Sequence, residues 1–199
     1  MHTRFFQIEG EGSARILRLT SPDGTNRLSR ACVQALTVAI CQLKDEHKIQ
    51  PHPLIIAGNR NFFSVGADLN EIAALSGPQA YEFSSMGQAL MNAIASFPAP
   101  VVAAIEGHCM GGGLDLALAC HRRIAAPHAV FGHRGAALGL MTGWGGTQRL
   151  PRLIGKSRTL ELFVAAEKIS APQSVRIGIV DAIAGDPVRC AAETIQGVR

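Results

Sequence analysis

The chain has 199 residues, 47% of them hydrophobic and 17% charged, with 21 glycines and a formal charge of +4. That balance excludes a disordered or fibrous chain and fits one compact α/β domain, 1–199, with a large core and many tight turns. Lys and Arg are scattered, with no like-charge run and no interleaved aromatics, which excludes a nucleic-acid-binding surface; a small polyanionic ligand suits the charge. The start, Met1-His2-Thr3-Arg4-Phe5-Phe6, has no apolar run of signal-peptide length, and no later segment is long enough to span a membrane, so a cytoplasmic protein is expected. The five cysteines show no CxxC spacing and are read as buried, inert thiols.

In chain order, residues 5–8 and 14–19 read as two strands of a hairpin about Gly10-Glu11-Gly12, and Ser21-Pro22-Asp23-Gly24 as a turn. Ser29 caps a helix carried to about Lys44 by Cys32, Leu36, Ala39, Ile40 and Leu43. A short apolar strand over 54–58 is followed by a loop over 59–68 and a short helix from about Leu69. Residues 78–97 form a long helix ended by Pro98 and Pro100, and 101–105 a buried strand. Residues 123–126 and 129–132 are short strands flanking Pro127-His128, and 135–146 is loop. Helices follow over 147–154, 156–165 and 172–177, and a strand over 179–183. Alternating strands and helices predict a layered, mainly parallel sheet.

The densest chemical signal is Ile105-Glu106-Gly107-His108-Cys109-Met110-Gly111-Gly112-Gly113-Leu114-Asp115. A buried strand is expected to run through a glycine turn straight into a helix. Glycines allow close approach of a ligand to backbone, and a helix start offers unpaired N–H groups and a positive dipole end. Asp115 follows one turn later. This is the layout of an oxyanion hole beside an acid/base group, although Asp115 is read equally as an acid that complements the helix dipole. No Gly-x-Ser-x-Gly elbow, no Gly-Lys-Ser/Thr directly following the three glycines and no metal-ligand spacing of His, Cys and acids occurs.

Asn61-Phe62-Phe63-Ser64-Val65-Gly66-Ala67-Asp68-Leu69 resembles the first block of the crotonase superfamily, the enoyl-CoA hydratases and isomerases. Residues 107–116 resemble its second block. Phe131-Gly132, Leu138-Gly139-Leu140 and Gly145-Gly146-Thr147-Gln148-Arg149-Leu150-Pro151-Arg152-Leu153-Ile154-Gly155 resemble its third. The resemblance covers nearly the whole chain in order. It implies a crotonase spiral of repeated ββα units, assembly as a homotrimer or hexamer, and an acyl-CoA thioester as ligand with no other cofactor. It further implies that the backbone N–H groups of Ala67 and Gly112 hold the thioester oxygen while an enolate forms, with side chains at 67 and 112 needing only to stay small. Ala67, Asp68, Leu69, Gly111, Gly112 and Gly135 would contact the substrate, and Asp115 would be the proton carrier. Asp68 is read as a cap of the following helix, with its backbone near the ligand's adenine.

The chain also departs from the family. The two glutamates of the hydratases fall on Asp115 and Gly135. Aspartate is shorter by one methylene, roughly 1.5 Å, a misplacement that can lower a rate on the order of 10²; glycine supplies no acid. The further acids of the dienoyl-CoA isomerases fall on Gly135 and Gly143. The chain is read as a short member, ending before the C-terminal helical segment that helps close the site and build the trimer. The expectation is thus an acyl-CoA site for hydration or double-bond movement, with a catalytically impaired binding or scaffold protein as the alternative. His133 stands as a spare acid/base or, by preference, a solvated loop residue; His108 and Glu106 are read as structural, and His121 as a surface residue.

Overall fold

The computed structural model describes residues 2–11, 14–49 and 52–196. β1 (Phe6–Glu11) pairs antiparallel with β2 (Ala14–Leu19), Glu11 lying opposite Ala14. The first strand therefore includes Gly10 and Glu11, which were expected in the turn; residues 12 and 13 lie outside the described residues. After β3 (Arg27–Leu28) comes α1 (Arg30–Ile49). It forms because Cys32, Val33, Leu36, Ala39, Ile40 and Leu43 recur every three or four residues, and all six are buried. Ser29 Oγ accepts the Cys32 N–H at 3.2 Å, the expected cap.

The middle of the chain repeats one pattern. β4 (Leu54–Ala57) and β5 (Phe62–Ser64) lead through β6 (Gly66–Ala67) to α2 (Leu69–Ala73) and α3 (Gly77–Ala95). β7 (Val101–Ile105) and β8 (His108–Met110) lead to α4 (Gly112–Ala119). β9 (Arg122–Ala125) and β10 (Val130–Gly132) lead through a single turn of 3₁₀ helix (Ala136–Leu138) to α5 (Gly146–Ile154) and α6 (Lys156–Ala165). The first strands, β4, β7 and β9, are parallel neighbours in one sheet; the second strands, β5, β8 and β10, are parallel neighbours in another. Each turn of chain adds one strand to each sheet and then a helix, which is the expected spiral of ββα units. The chain closes with β11 (Ile169–Ser170), α7 (Ala171–Ile177), β12 (Ala182–Ile183) and α8 (Pro187–Gln196). The larger sheet runs β1-β2-β4-β7-β9-β12.

β7 lies inside this sheet with both faces covered, so its five residues are all apolar and buried. Val101, Ala103 and Ile105 face the main core with α1 and α3. Val102 and Ala104 face a second cluster completed by Ala191 and Ile195 of α8. Sequence reading had no helix over α8. It also gave 59–68 to loop, where β5 and β6 lie, and ran β7 straight into the glycine turn, where β8 intervenes. Strands of two or three residues carry no readable periodicity and exist because neighbours supply their ladders. The expected strand over 179–183 shrinks to Ala182–Ile183; Ile179 and Val180 are buried, and both their amides donate to Ser174 O, at 2.9 and 3.3 Å. Among the described residues no helix is long and apolar enough to cross a membrane.

Candidate active site

Both first-sheet crossovers deliver their second strands to one place, where β6 meets the start of α4. Gly112 opens α4, so its N–H has no acceptor within the helix and lies at the positive end of the dipole. Gly66 has φ +90°, a conformation closed to most side chains. A Cβ on Gly66 would lie 2.7 Å from both Gly112 N and Met110 O, and one on Gly112 would lie 3.3 Å from Ala67 N. The amides of Ala67 and Gly112 are therefore neighbours across a contact that glycine alone permits. The turn is anchored from the third unit, since Gly111 N–H donates to Gly132 O at 2.9 Å.

The space around Gly112 is tighter than its neighbours in sequence suggest. Trp144, the chain's single tryptophan, is buried between α3 and α4. A Cβ on Gly112 would come 2.5 Å from the indole Cζ3, and one on Gly87 would overlap the same ring. Phe83 meets the indole edge-on, with centroids 5.3 Å apart. Position 112 thus needs glycine itself, a correction to the expectation that any small side chain would serve.

Asp115 sits one turn into α4 and is 2% exposed. Its Oδ1 is 3.1 Å from His133 Nε2, and its Oδ2 accepts the Thr142 hydroxyl at 2.5 Å. His133 was expected in solvent. It is instead 8% exposed, with its ring edge-on to Phe163 of α6 at 5.3 Å. The residue follows directly on β10, so the sheet carries it inward. Thr142 and Trp144 lie in the stretch read as plain loop. The available signal was the lone tryptophan, a residue that seldom stays in solvent. Arg149 of α5 donates to Trp144 O at 3.1 Å and to Asn92 Oδ1 at 2.8 Å. Burial holds its guanidinium below the usual arginine value, and the Asp115 charge acts the other way.

These groups border a cavity of about 740 Å³. Ala67, Leu69, Gly111, Gly112, Asp115 and Gly135 all line it, and Asp115 is the one carboxylate among the lining residues. Asp68 does not line it; its carboxylate accepts the Asn70 N–H at 2.9 Å and caps α2 as expected. Most of the remaining wall is apolar, from α2, α3 and the 136–144 segment, with Arg134 and Lys168 as its cations. Gly135 has ordinary helical angles, and a Cβ there would lie 2.6 Å from Leu140 O. The position that would hold a second acid has no room for one while the 3₁₀ turn keeps its path. His108 packs on Phe62 at 5.4 Å, with both rings on the wall. His121 is exposed, as expected, and its Nδ1 accepts the Val101 N–H at 2.9 Å. Glu106 is half-buried and does not line the cavity. Among the described residues no group of three or more His, Cys, Asp or Glu could hold a metal ion.

Comparison with known proteins places the chain in a family. The sequence model of the enoyl-CoA hydratase/isomerase family matches residues 9–196. A probable enoyl-CoA hydratase of Bacillus subtilis is 40% identical over 172 residues, which are 86% of this chain and 66% of that protein. A crotonyl-CoA hydratase of Syntrophomonas wolfei is 34% identical over 176 residues, 88% of this chain and 67% of its own. The chain thus spans about two thirds of the length of both relatives. The crystal structure of an enoyl-CoA hydratase from Bacillus anthracis superposes with a TM-score of 0.91 at 32% identity, over 97% of this chain and 76% of that one. The fold is that of the crotonases, and the chain belongs to the enoyl-CoA hydratase/isomerase family.

Proposed function

We propose that the chain binds acyl-CoA thioesters and catalyses hydration, dehydration or double-bond movement beside the thioester carbonyl. The observation that carries this is the meeting of the Ala67 and Gly112 amides over a cavity whose one lining carboxylate is Asp115. Two N–H dipoles fixed in place stabilise an enolate oxygen without reorganising, and each such donor contributes on the order of 10²–10³ in rate. The acyl chain takes the apolar wall, while Lys168 and Arg134 suit a phosphorylated ligand. The acid/base step depends on Asp115. The substrate itself brings the CoA, and the chemistry needs no resident cofactor. The reading extends to a cytoplasmic homotrimer or hexamer, which light scattering checks.

The test is the hydration of crotonyl-CoA and longer trans-2-enoyl-CoAs by the purified chain and its Asp115→Ala variant. Turnover that collapses in the variant supports the proposal. An unchanged rate removes Asp115 from the mechanism. Tight binding of acyl-CoA without turnover returns the chain to a binding or scaffold role, for which the blocked acid position at Gly135 is the motive.

A further inference from the structure

The geometry points to His133 as the catalytic residue that transfers the proton in this site, with Asp115 as its positioning residue. This rests on the acyl-CoA reading above. Both Asp115 oxygens are engaged, Oδ1 by His133 Nε2 at 3.1 Å and Oδ2 by the Thr142 hydroxyl, and the side chain is 2% exposed. Each carboxylate oxygen thus already has a hydrogen-bond partner, although Asp115 borders the cavity. A carboxylate that accepts from both sides fixes the tautomer of its neighbour: Nε2 carries the proton and Nδ1 keeps its lone pair. Nδ1 has no hydrogen-bond partner among the described residues, and His133 lines the cavity. Phe163 meets the ring edge-on and restrains its rotation. A buried carboxylate orienting an imidazole whose second nitrogen is free is the arrangement of a general base.

The surroundings leave this role to His133. The second acid position is Gly135, where the Leu140 carbonyl occupies the space of a side chain. The other charged and titratable groups about the pair are the Cys109 thiol on β8, Arg149 on α5 beside Asp115, Arg134 and Lys168 on the wall, and His108, which lines the same cavity but packs on Phe62 with no carboxylate partner among the described residues. Cys109 is fully buried, and its thiol is pushed well up by desolvation first and by neighbouring charge second, so it is no rival for the proton.

The step balances with one residue. Neutral His133 Nδ1 takes a proton from water as the water oxygen bonds to C3. The C2=C3 electron pair moves through C1 to the thioester oxygen, held by the Ala67 and Gly112 amides. The imidazolium, paired with Asp115, then returns the proton to C2 as the enolate collapses. One water is added and His133 ends neutral.

The experiment compares wild type, His133→Gln and Asp115→Asn for butyryl-CoA binding by calorimetry and for crotonyl-CoA hydration against pH. His133→Gln is expected to bind butyryl-CoA within about twofold of wild type, to lose about 10²–10⁴ in kcat, and to lose the acid-side ionisation from the kcat/KM profile. Asp115→Asn is expected to lower kcat while moving that ionisation rather than removing it. Because the buried variants can fail to fold, ¹⁵N-histidine NMR of the wild type reads the tautomer directly. A His133 protonated at Nε2, whose Nδ1 resonance moves when butyryl-CoA binds, supports the inference; protonation at Nδ1 overturns it. Wild-type kcat and pH profile in folded His133→Gln also overturns it and leaves the acyl-CoA reading standing, whereas a wild type that binds without turnover overturns it together with the catalytic half of that reading. A wild type that does not bind butyryl-CoA at all brings down the acyl-CoA reading itself.

Discussion

Substituting Gly66 by alanine tests the contact between the two turns without replacing either residue that carries a proposed donor. The added Cβ would lie 2.7 Å from Gly112 N and from Met110 O, where ordinary contact begins near 3.4 Å, so the turns must part by about 0.7 Å. Backbone on both sides leaves no flexible side chain to yield. The residue also sits at φ +90°, where an alanine is strained by roughly 1–3 kcal/mol. A displacement approaching 1 Å lowers a positioned reaction by about 10², and loss of one donor by about 10²–10³. Gly66→Ala is therefore expected to lose about 10²–10³ in crotonyl-CoA kcat/KM, with a melting temperature lowered by several degrees. The assay is steady-state hydration followed at the enoyl absorbance, with circular dichroism confirming the fold and calorimetry following butyryl-CoA affinity. A folded variant that hydrates at the wild-type rate would refute the claim that these amides must adjoin.

Other expectations follow from the same geometry. Gly135→Glu is expected not to raise hydratase turnover, because the Leu140 carbonyl occupies the side-chain path; a rate gain of tenfold or more would show that the turn opens freely. Asp181→Ala leaves Arg123, 4% exposed, without its Asp181 contact at 3.0 Å, although the guanidinium keeps the Ile179 and Cys120 carbonyls. Asp181 is itself 34% exposed at the side chain, so the expected loss is about 1.5–3 kcal/mol, the range of a hydrogen bond to a charged group, by denaturant melt; a loss under 0.5 contradicts the role. Burial pushes the Cys32 and Cys120 thiols up to about 12 and Cys109 well above its ordinary value. At pH 8 in the native state a thiol reagent should then modify exposed Cys41 first and half-buried Cys190 more slowly, with the other three reacting only on unfolding.

Much of the fold was legible because it rests on long-range regularity in the chain. α1 follows from five apolar residues at helical spacing, and β7 from an unbroken apolar run that only a strand covered on both faces tolerates. β6 and β8, two and three residues long, were illegible because their partners in space, β3 and β5, are distant in sequence. α8 went unseen because its apolar face answers the far side of a sheet, through Ala191 and Ile195 on Val102 and Ala104. At the site, the glycines and Asp115 announced themselves. His133 did not, since a histidine between Gly132 and Arg134 looks like solvent-facing loop until β10 is placed beside β8 and turns it toward α4. The need for hydrogen alone at 112 was likewise hidden, because Trp144 reaches that position from another turn of the spiral.

The most direct test of the account is a crystal structure with butyryl-CoA bound. The thioester oxygen is expected within about 2.7–3.1 Å of both the Ala67 and Gly112 nitrogens, with C2 and C3 toward His133 and Asp115. A thioester seated elsewhere in the cavity, or bonded to neither amide, would contradict it.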